Sequence, residues 1–137
     1  MPNPADGRSA TVLVIDDQPF FTTMLRNVLE QQGFRVLTAS NGPAGLGLAK
    51  KQVPDAVLLD VEMPEMDGFT VCQRLKQDAA LSHIPVIILT GTTDAKLNQK
   101  AFAAGAEITA LKSVSGERLI NILRLALSKK PPTPEKK

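Results

Sequence analysis

Five short apolar runs, rich in β-branched residues, alternate along the chain with stretches that carry apolar residues at helical spacing. A continuous apolar run of this kind is typical of a strand buried on both faces of a parallel sheet. The runs are TVLVI at 11–15, FRVLTA at 34–39, DAVLL at 55–59, PVIIL at 85–89 and EITAL at 107–111. Regular alternation of strands and helices predicts an α/β fold with a parallel sheet and right-handed crossovers.

Five helices are predicted between and after these strands. They are expected over Pro19 to Gln32, Gly42 to Lys51, Phe69 to Gln77, Asp94 to Ala104 and Gly116 to Ser128. Gly33 and Gly105 follow the first and the fourth helix, where glycine often ends a helix. The fold class predicted is α/β: a flavodoxin-like, doubly wound five-stranded parallel sheet in the order 2-1-3-4-5, with five helices.

The 137 residues suit a single domain, which the apolar pattern places at residues 11–128. Residues 1–10 are polar and contain Pro and Gly, so we expect a disordered lead-in. Residues 129–137, KKPPTPEKK, are expected to form a tail or the start of a linker to a further part.

Composition argues against several classes of function. A net charge of +2 and the absence of Trp and Tyr argue against a direct nucleic-acid partner. Cys72 is the only cysteine, which excludes an intramolecular disulfide and suggests a small buried side chain. Neither a signal-peptide pattern nor a membrane-length apolar run is seen. We therefore expect a cytoplasmic protein without a membrane partner.

Polar residues stand at the ends of four of the five apolar runs. They are Asp16 and Asp17 after the first run, Asp60 after the third, Thr90 after the fourth and Lys112 after the fifth. In an open parallel sheet, the carboxyl ends of the strands form the crevice where ligands bind. Three carboxylates, a hydroxyl and an ammonium are therefore expected to meet at one edge of the sheet.

This set of groups indicates phosphoryl chemistry beside a divalent cation. Crowded carboxylates repel one another, and a hard cation such as Mg²⁺ relieves that repulsion. An aspartate beside such an ion can attack phosphorus and form an aspartyl phosphate. The Thr90 hydroxyl and the Lys112 ammonium can contact phosphoryl oxygens, as positioning and charge neutralisation require.

The segments VLVIDD, LLDVEMPEMDGF, PVIILTG and AFAAGA, together with Lys112, resemble the receiver domain of two-component response regulators of the chemotaxis-regulator type. The resemblance covers residues 11–128, and the segment from Asp60 to Gly68 is its most specific part. It implies that Asp60 is the phosphoacceptor and that Thr90 and Lys112 contact the phosphoryl group.

The resemblance also implies a metal site and partners. Mg²⁺, with Mn²⁺ as an alternative, would be held by Asp17, by Asp16 through water, by Asp60 and by the main-chain carbonyl of Glu62. A sensor histidine kinase or phosphotransfer protein would donate the phosphoryl group from phosphohistidine. The receiver would act on a downstream protein or output domain, would dimerise on phosphorylation, and would catalyse only its own phosphorylation and slow dephosphorylation.

Three residues depart from the family pattern. Ser113 follows Lys112 where proline is usual, Thr109 stands where an aromatic residue is usual, and Gly91 replaces the commoner alanine after Thr90. A trans bond is expected between Lys112 and Ser113, because non-proline cis bonds cost about 2.5–4 kcal/mol.

These departures keep alternatives open. One is a receiver-fold scaffold or binding module with weakened phosphate control, and another is the regulatory domain cut from a larger response regulator. An aspartate-nucleophile phosphatase of the haloacid dehalogenase type is disfavoured, because such enzymes need Asp-x-Asp where this chain has Asp60-Val61-Glu62.

Several of these polar and glycine-rich segments also have ordinary structural interpretations. Asp17 can also cap the helix that begins at Pro19. Glu65 and Asp67 are expected to be solvated loop charges. GPAGLG at 42–47 lacks the spacing of a phosphate-binding glycine loop and is interpreted as a helix start rich in small residues.

Overall fold

The computed structural model describes residues 9–63, 66–92 and 94–128, in which strands and helices alternate along the chain. The strands are β1 (Thr11–Ile15), β2 (Arg35–Ala39), β3 (Ala56–Asp60), β4 (Val86–Thr90) and β5 (Ile108–Leu111). The helices are α1 (Pro19–Gln31), α2 (Gly42–Gln52), α3 (Gly68–Gln77), α4 (Ala95–Ala103) and α5 (Gly116–Ser128).

The five strands form one parallel sheet in the order β2-β1-β3-β4-β5. In the centre of the sheet, Leu13 of β1 pairs with Leu37 of β2 and with Val57 of β3. The α/β class, the flavodoxin-like strand order and the number of helices are confirmed.

Alternate strand residues face opposite sides of the sheet and build two cores. One core, which includes Ile15, Leu59 and Ile88, packs against residues of α2, α3 and α4. The other, which includes Val14 and Leu58, packs against residues of α1 and α5. Burying one such aliphatic side chain contributes about 1.5–3 kcal/mol, so helices on both faces hold the strand ends firmly.

Two acidic residues predicted to open strands instead fasten neighbouring strands. Asp55 Oδ2 accepts a hydrogen bond from the Thr11 backbone N–H at 2.7 Å. Glu107 Oε1 accepts one from the Val86 backbone N–H at 2.7 Å. Strands β3 and β5 therefore begin one residue later than predicted, and so do β2 and β4, which begin at Arg35 and Val86 rather than at Phe34 and Pro85. Strand β3 also extends to include Asp60.

Side chains cap four of the helices, including α5, where Ser115 Oγ accepts a hydrogen bond from the Arg118 backbone N–H at 3.1 Å. Asn41, Asp67 and Asp94 accept hydrogen bonds from the backbone N–H groups of Ala44, Thr70 and Lys96 at 2.8, 2.9 and 2.9 Å. Asp94, the first residue of the predicted fourth helix, is the cap of α4. Asp67 is exposed yet caps α3 and is not simply a solvated charge. The residue before α1 is Gln18, and no side chain caps that helix, so capping by Asp17 is not observed.

Glycines act at helix ends and at close contacts. Gly33 and Gly105 have φ angles of +91° and +102°, which confirms them as helix-ending residues. Gly45 packs against β1, where an added Cβ would lie 2.8 Å from Cγ1 of Ile15. The GPAGLG segment is therefore the small-residue start of α2, as predicted.

The ordered chain begins earlier than predicted. Ala10 was assigned to a disordered lead-in, but it is buried and its carbonyl accepts a hydrogen bond from the Arg35 backbone N–H at 2.9 Å. The rest of the predicted lead-in up to residue 8, the predicted tail at 129–137 and Glu65 lie outside the described residues. In the ranges that are described, no helix has the length and apolar character needed to cross a membrane.

Candidate functional site

Three carboxylates meet at the carboxyl edge of the sheet. Asp16, Asp17 and Asp60 each offer one oxygen, and these oxygens all lie within 4.8 Å of one another. Asp16 follows β1, and Asp60 ends the adjacent strand β3. The side chains of Asp16 and Asp60 are buried, while Asp17 is half-buried. The structure thus brings together the three acids that the sequence analysis selected.

Asp16 turns the chain out of the sheet. Its backbone N–H donates to the Ala39 carbonyl at 3.0 Å, extending the ladder with β2. Its Oδ1 accepts a hydrogen bond from the Gln18 backbone N–H at 2.9 Å, which closes a tight turn. Its Oδ2 is buried and, among the described residues, accepts no hydrogen bond.

Lys112 is the cation of this cluster. Its backbone N–H donates to the Thr90 carbonyl at 2.7 Å, which fastens the residue after β5 to the end of β4. Its Nζ lies 2.9 Å from Asp16 Oδ2, an ion pair without hydrogen-bond angles, and 3.6 Å from Asp60 Oδ2. The bond from Lys112 to Ser113 is trans, as expected.

Asp60 is a buried carboxyl whose ionisation is disfavoured. Burial raises the pKa of Asp60 to about 6, and the negative charges of Asp16 and Asp17 act in the same direction. A hydrogen bond from the Glu62 backbone N–H, at 3.1 Å from Oδ1, opposes the rise in pKa, as does the charge of Lys112. The Asp60 carboxylate is therefore costly to ionise and poised to gain from a nearby cation.

Thr90 lies at the edge of the site with its side-chain hydroxyl, and Glu62 with its backbone. The Thr90 side chain is buried, and its hydroxyl both donates to the Thr92 carbonyl and accepts from the Thr92 N–H, each at 3.3 Å. Its hydroxyl is thus tied to the loop after β4. The Glu62 side chain is exposed, and only its backbone is directed at Asp60.

Gly68 lets α3 pack closely against the end of β3. Its N–H donates to the Val61 carbonyl at 3.2 Å. A Cβ at Gly68 would meet the Asp60 carbonyl and lie 2.7 Å from the Val61 Cα. In sequence, Asp67-Gly68 is typical of a turn, but the role of this glycine is close backbone contact, which depends on tertiary packing.

Two residues at the start of α1 were missed. Gln18 Oε1 accepts a hydrogen bond from Lys112 Nζ at 2.9 Å. The ring centroid of Phe21 lies 4.5 Å from the same ammonium. Gln18 occupies the cap position before α1, although glutamine is a poor helix cap. That mismatch was the only sequence signal that its side chain has another role. Phe21 has the apolar helical spacing of a core residue, and it does pack against the core.

Thr109 joins β5 to α4. Its hydroxyl donates to Asn98 Oδ1 at 3.0 Å. Gly91, which replaces the alanine usual in the family after Thr90, is exposed. The departure at Thr109 therefore places a polar contact between this strand and α4.

The residues present fit a hard divalent cation. Three carboxylates face one ammonium, so the cluster carries excess negative charge if all four groups are ionised. The buried Asp16 Oδ2, which accepts no hydrogen bond within the described part of the chain, offers a ready ligand atom. Carboxylate oxygens at this spacing are the ligand type that Mg²⁺ prefers.

Comparisons with known proteins identify the family of this chain. The family model for the response regulator receiver domain matches residues 12–124. Protein PilH of Pseudomonas aeruginosa is 38% identical over 120 residues, which cover 87% of this chain and 98% of PilH. The solved structure of the Vibrio cholerae chemotaxis protein CheY4 has a TM-score of 0.83 at 30% identity, covering 85% of this chain and 98% of CheY4.

Response regulator PleD of Caulobacter vibrioides is 46% identical over 82 residues, which cover 60% of this chain but only 18% of PleD. The chain therefore spans a minor part of that relative. The family match extends over most of the described residues and includes all three clustered aspartates. The chain belongs to the response regulator receiver domain family of two-component signalling proteins.

Proposed function

We propose that this chain is a phosphorylation-operated signalling module in which Asp60 accepts a phosphoryl group. The observation that carries the proposal is the convergence of Asp16, Asp17 and Lys112 on the buried Asp60 carboxylate. The module is proposed to span residues 11–128. Receiver domains are in general signalling modules rather than enzymes, so we expect only self-phosphorylation and slow self-dephosphorylation.

Asp60 is proposed to act as the nucleophile. Oδ1 is held by the Glu62 N–H, which leaves Oδ2, on the Lys112 side, as the attacking oxygen. With a pKa of about 6, the carboxyl is mostly ionised at neutral pH. Attack on phosphohistidine forms the O–P bond and breaks the P–N bond, giving an aspartyl phosphate.

Mg²⁺, or Mn²⁺, is proposed to bind to Asp16, Asp17, Asp60 and the main-chain carbonyl of Glu62. A bound divalent ion supplies charge stabilisation to the phosphoryl oxygens. The buried aspartates then depend less on Lys112 for neutralisation, which frees its ammonium to contact a phosphoryl oxygen.

Thr90 is proposed to link the site to a conformational change. Its hydroxyl, now bound to Thr92, can turn to a phosphoryl oxygen and draw the loop after β4 with it. Phosphorylation then favours one of two arrangements of this region by the difference in contacts between them.

The proposed donor is a sensor histidine kinase or a phosphotransfer protein, and the proposed recipient of the signal is a downstream protein or output domain. A dimer that forms on phosphorylation is part of the same proposal, as is a cytoplasmic location. The site chemistry supports the donor class, because a buried carboxylate beside a cation site accepts phosphoryl groups from high-energy donors.

Incubation with acetyl phosphate and Mg²⁺, followed by phosphate-affinity electrophoresis, tests the proposal. Wild type and the control Asp78→Asn, a half-buried aspartate that follows α3, should shift, whereas Asp60→Asn should not. A shifted Asp60→Asn band would contradict the assignment. Absence of any shift, with partner binding that ignores Mg²⁺, would favour the scaffold alternative.

A further inference from the structure

Two residues at the start of α1 contact the Lys112 ammonium. The Phe21 ring centroid lies 4.5 Å from Nζ, and Gln18 Oε1 accepts a hydrogen bond from it at 2.9 Å. We propose that Phe21 is a positioning residue that, with Gln18, holds the Lys112 ammonium beside the phosphoacceptor. This inference rests on the proposed function, because it concerns the same reaction at Asp60.

Apart from its ion pairs with Asp16 and Asp60, the position of the Lys112 side chain depends on further contacts at its ammonium. A lysine has a flexible four-carbon stem and a compact charge that no single partner orients. Strand β5, which precedes it, is only half-buried throughout. The backbone of Lys112 is fastened to the Thr90 carbonyl, but that bond leaves the side-chain torsions free. Contacts at the ammonium therefore decide where the charge lies.

The start of α1 is well suited to provide them. The Gln18 backbone N–H donates to Asp16 Oδ1 at 2.9 Å, and its carbonyl accepts from the Thr22 N–H at 3.0 Å. Gln18 is thus fixed relative to the acidic cluster, and its amide is free to face Lys112 because it makes no capping bond.

Phe21 has two sets of contacts. It packs against the core beneath α1 and α5, and its ring lies against the ammonium. A cation over an aromatic face is attracted by the ring quadrupole, more strongly where water is partly excluded. The Lys112 side chain is 17% exposed, so the contact is largely shielded from water. A core role alone predicts that any apolar side chain of similar size suffices, whereas the positioning role requires an aromatic ring.

The rate of Asp60 phosphorylation by acetyl phosphate separates these two roles. Phe21→Leu should slow labelling by about three- to tenfold, as expected for loss of one shielded cation–π contact. Phe21→Tyr should recover most of the rate. Phe20→Leu is the matched control, because the neighbouring Phe20 side chain is 85% exposed, and it should label like wild type.

A double-mutant cycle shows whether Phe21 acts through Lys112. In a Lys112→Ala background, Phe21→Leu should cause no further loss of rate. An equal loss in both backgrounds would overturn the positioning role, as would an unchanged rate in Phe21→Leu alone. If the wild type is not labelled at all, the proposed function fails and the positioning role fails with it.

The contact itself has a spectroscopic signature that needs no phosphorylation. The Lys112 ε-methylene protons should resonate upfield of the other lysines because of the Phe21 ring current, with the signal assigned from Lys112→Arg. The upfield shift should persist in Phe21→Tyr and Phe20→Leu and vanish in Phe21→Leu. A Lys112 signal without that shift in the wild type would refute the proposal whatever the labelling rate.

Discussion

Lys112 forms a closer ion pair with Asp16 than with Asp60, the proposed phosphoacceptor. Its Nζ lies 2.9 Å from Asp16 Oδ2 and 3.6 Å from Asp60 Oδ2. The residue proposed to contact the phosphoryl group is thus, in this structure, the counter-ion of a residue proposed to bind the metal. Neutralisation of the acidic cluster by Lys112 and by a divalent cation should therefore be interchangeable in part.

Replacement of Lys112 by Ala should destabilise the fold and increase its dependence on Mg²⁺. Loss of the ammonium leaves the buried Asp16 and Asp60 without a counter-ion, at an expected cost of about 1–3 kcal/mol in the free energy of unfolding. Added Mg²⁺ should restore more stability to this variant than to wild type, as measured by urea unfolding with and without the ion. The exposed Lys50→Ala is the control. Equal responses to Mg²⁺ in all three proteins would contradict this relationship.

Asp60→Asn should stabilise the metal-free fold at neutral pH. Because burial raises the pKa of Asp60 to about 6, the folded state binds its proton more tightly than the unfolded state does. The ionised carboxylate therefore costs stability above that pKa, by up to about 3 kcal/mol, and the cost disappears as the pH falls below about 4. The gain from Asp60→Asn should be full at about pH 8 and vanish at about pH 4.

Urea unfolding without Mg²⁺ across this pH range measures the effect. Asp78→Asn is the control, because this aspartate is half-buried and an asparagine there can still accept the hydrogen bond from the Ala80 N–H. Mg²⁺ should stabilise the wild type more than Asp60→Asn, because an amide is a poorer ligand than a carboxylate. If Asp60→Asn were less stable than wild type at the higher pH, the ionised Asp60 carboxylate would not be destabilising the fold.

Gly68→Ala should disturb the end of β3 as well as α3. The added methyl would meet the Asp60 carbonyl and lie 2.7 Å from the Val61 Cα, so backbone must shift. We expect a loss of about 1–3 kcal/mol in the free energy of unfolding and weaker Mg²⁺ binding. Gly47→Ala is the control: no atom lies within 4 Å of its added Cβ, and its helical position predicts a gain of about 0.5–1 kcal/mol. Unchanged stability and metal affinity in Gly68→Ala would show that the contact is easily relaxed.

The strand pattern made the fold and the three clustered aspartates predictable. Short buried strands of an α/β sheet have a strong local signature, and their carboxyl ends share one edge by topology. The contacts of Gln18 and Phe21 with Lys112 were not predictable in the same way. Gln18 and Lys112 are 94 positions apart, and their meeting depends on side-chain conformations that no local pattern encodes.

Strand boundaries were missed for a related reason. Asp55 and Glu107 were assigned to strands because they adjoin apolar runs. Each carboxylate instead accepts a hydrogen bond from a backbone N–H of a strand that is adjacent in the sheet but far away in the sequence. Gly68 likewise carries a local turn signal, whereas its contact with β3 arises only once α3 packs. In each case a tertiary partner decides the role of a residue whose local preference is ambiguous.

Lys76 and Glu107 form a structural ion pair at the amino edge of the sheet, away from the acidic cluster. Lys76 Nζ lies 2.8 Å from Glu107 Oε2 and donates to the Ile84 carbonyl at 2.7 Å. Lys76→Met should lower the free energy of unfolding by about 1–3 kcal/mol, because it leaves these acceptors without their donor. Labelling of Asp60 by acetyl phosphate should proceed at the wild-type rate, since the pair contacts no residue of the site. The exposed Lys51→Met should change neither quantity. A slower labelling rate in folded Lys76→Met would reveal coupling between the two edges of the sheet.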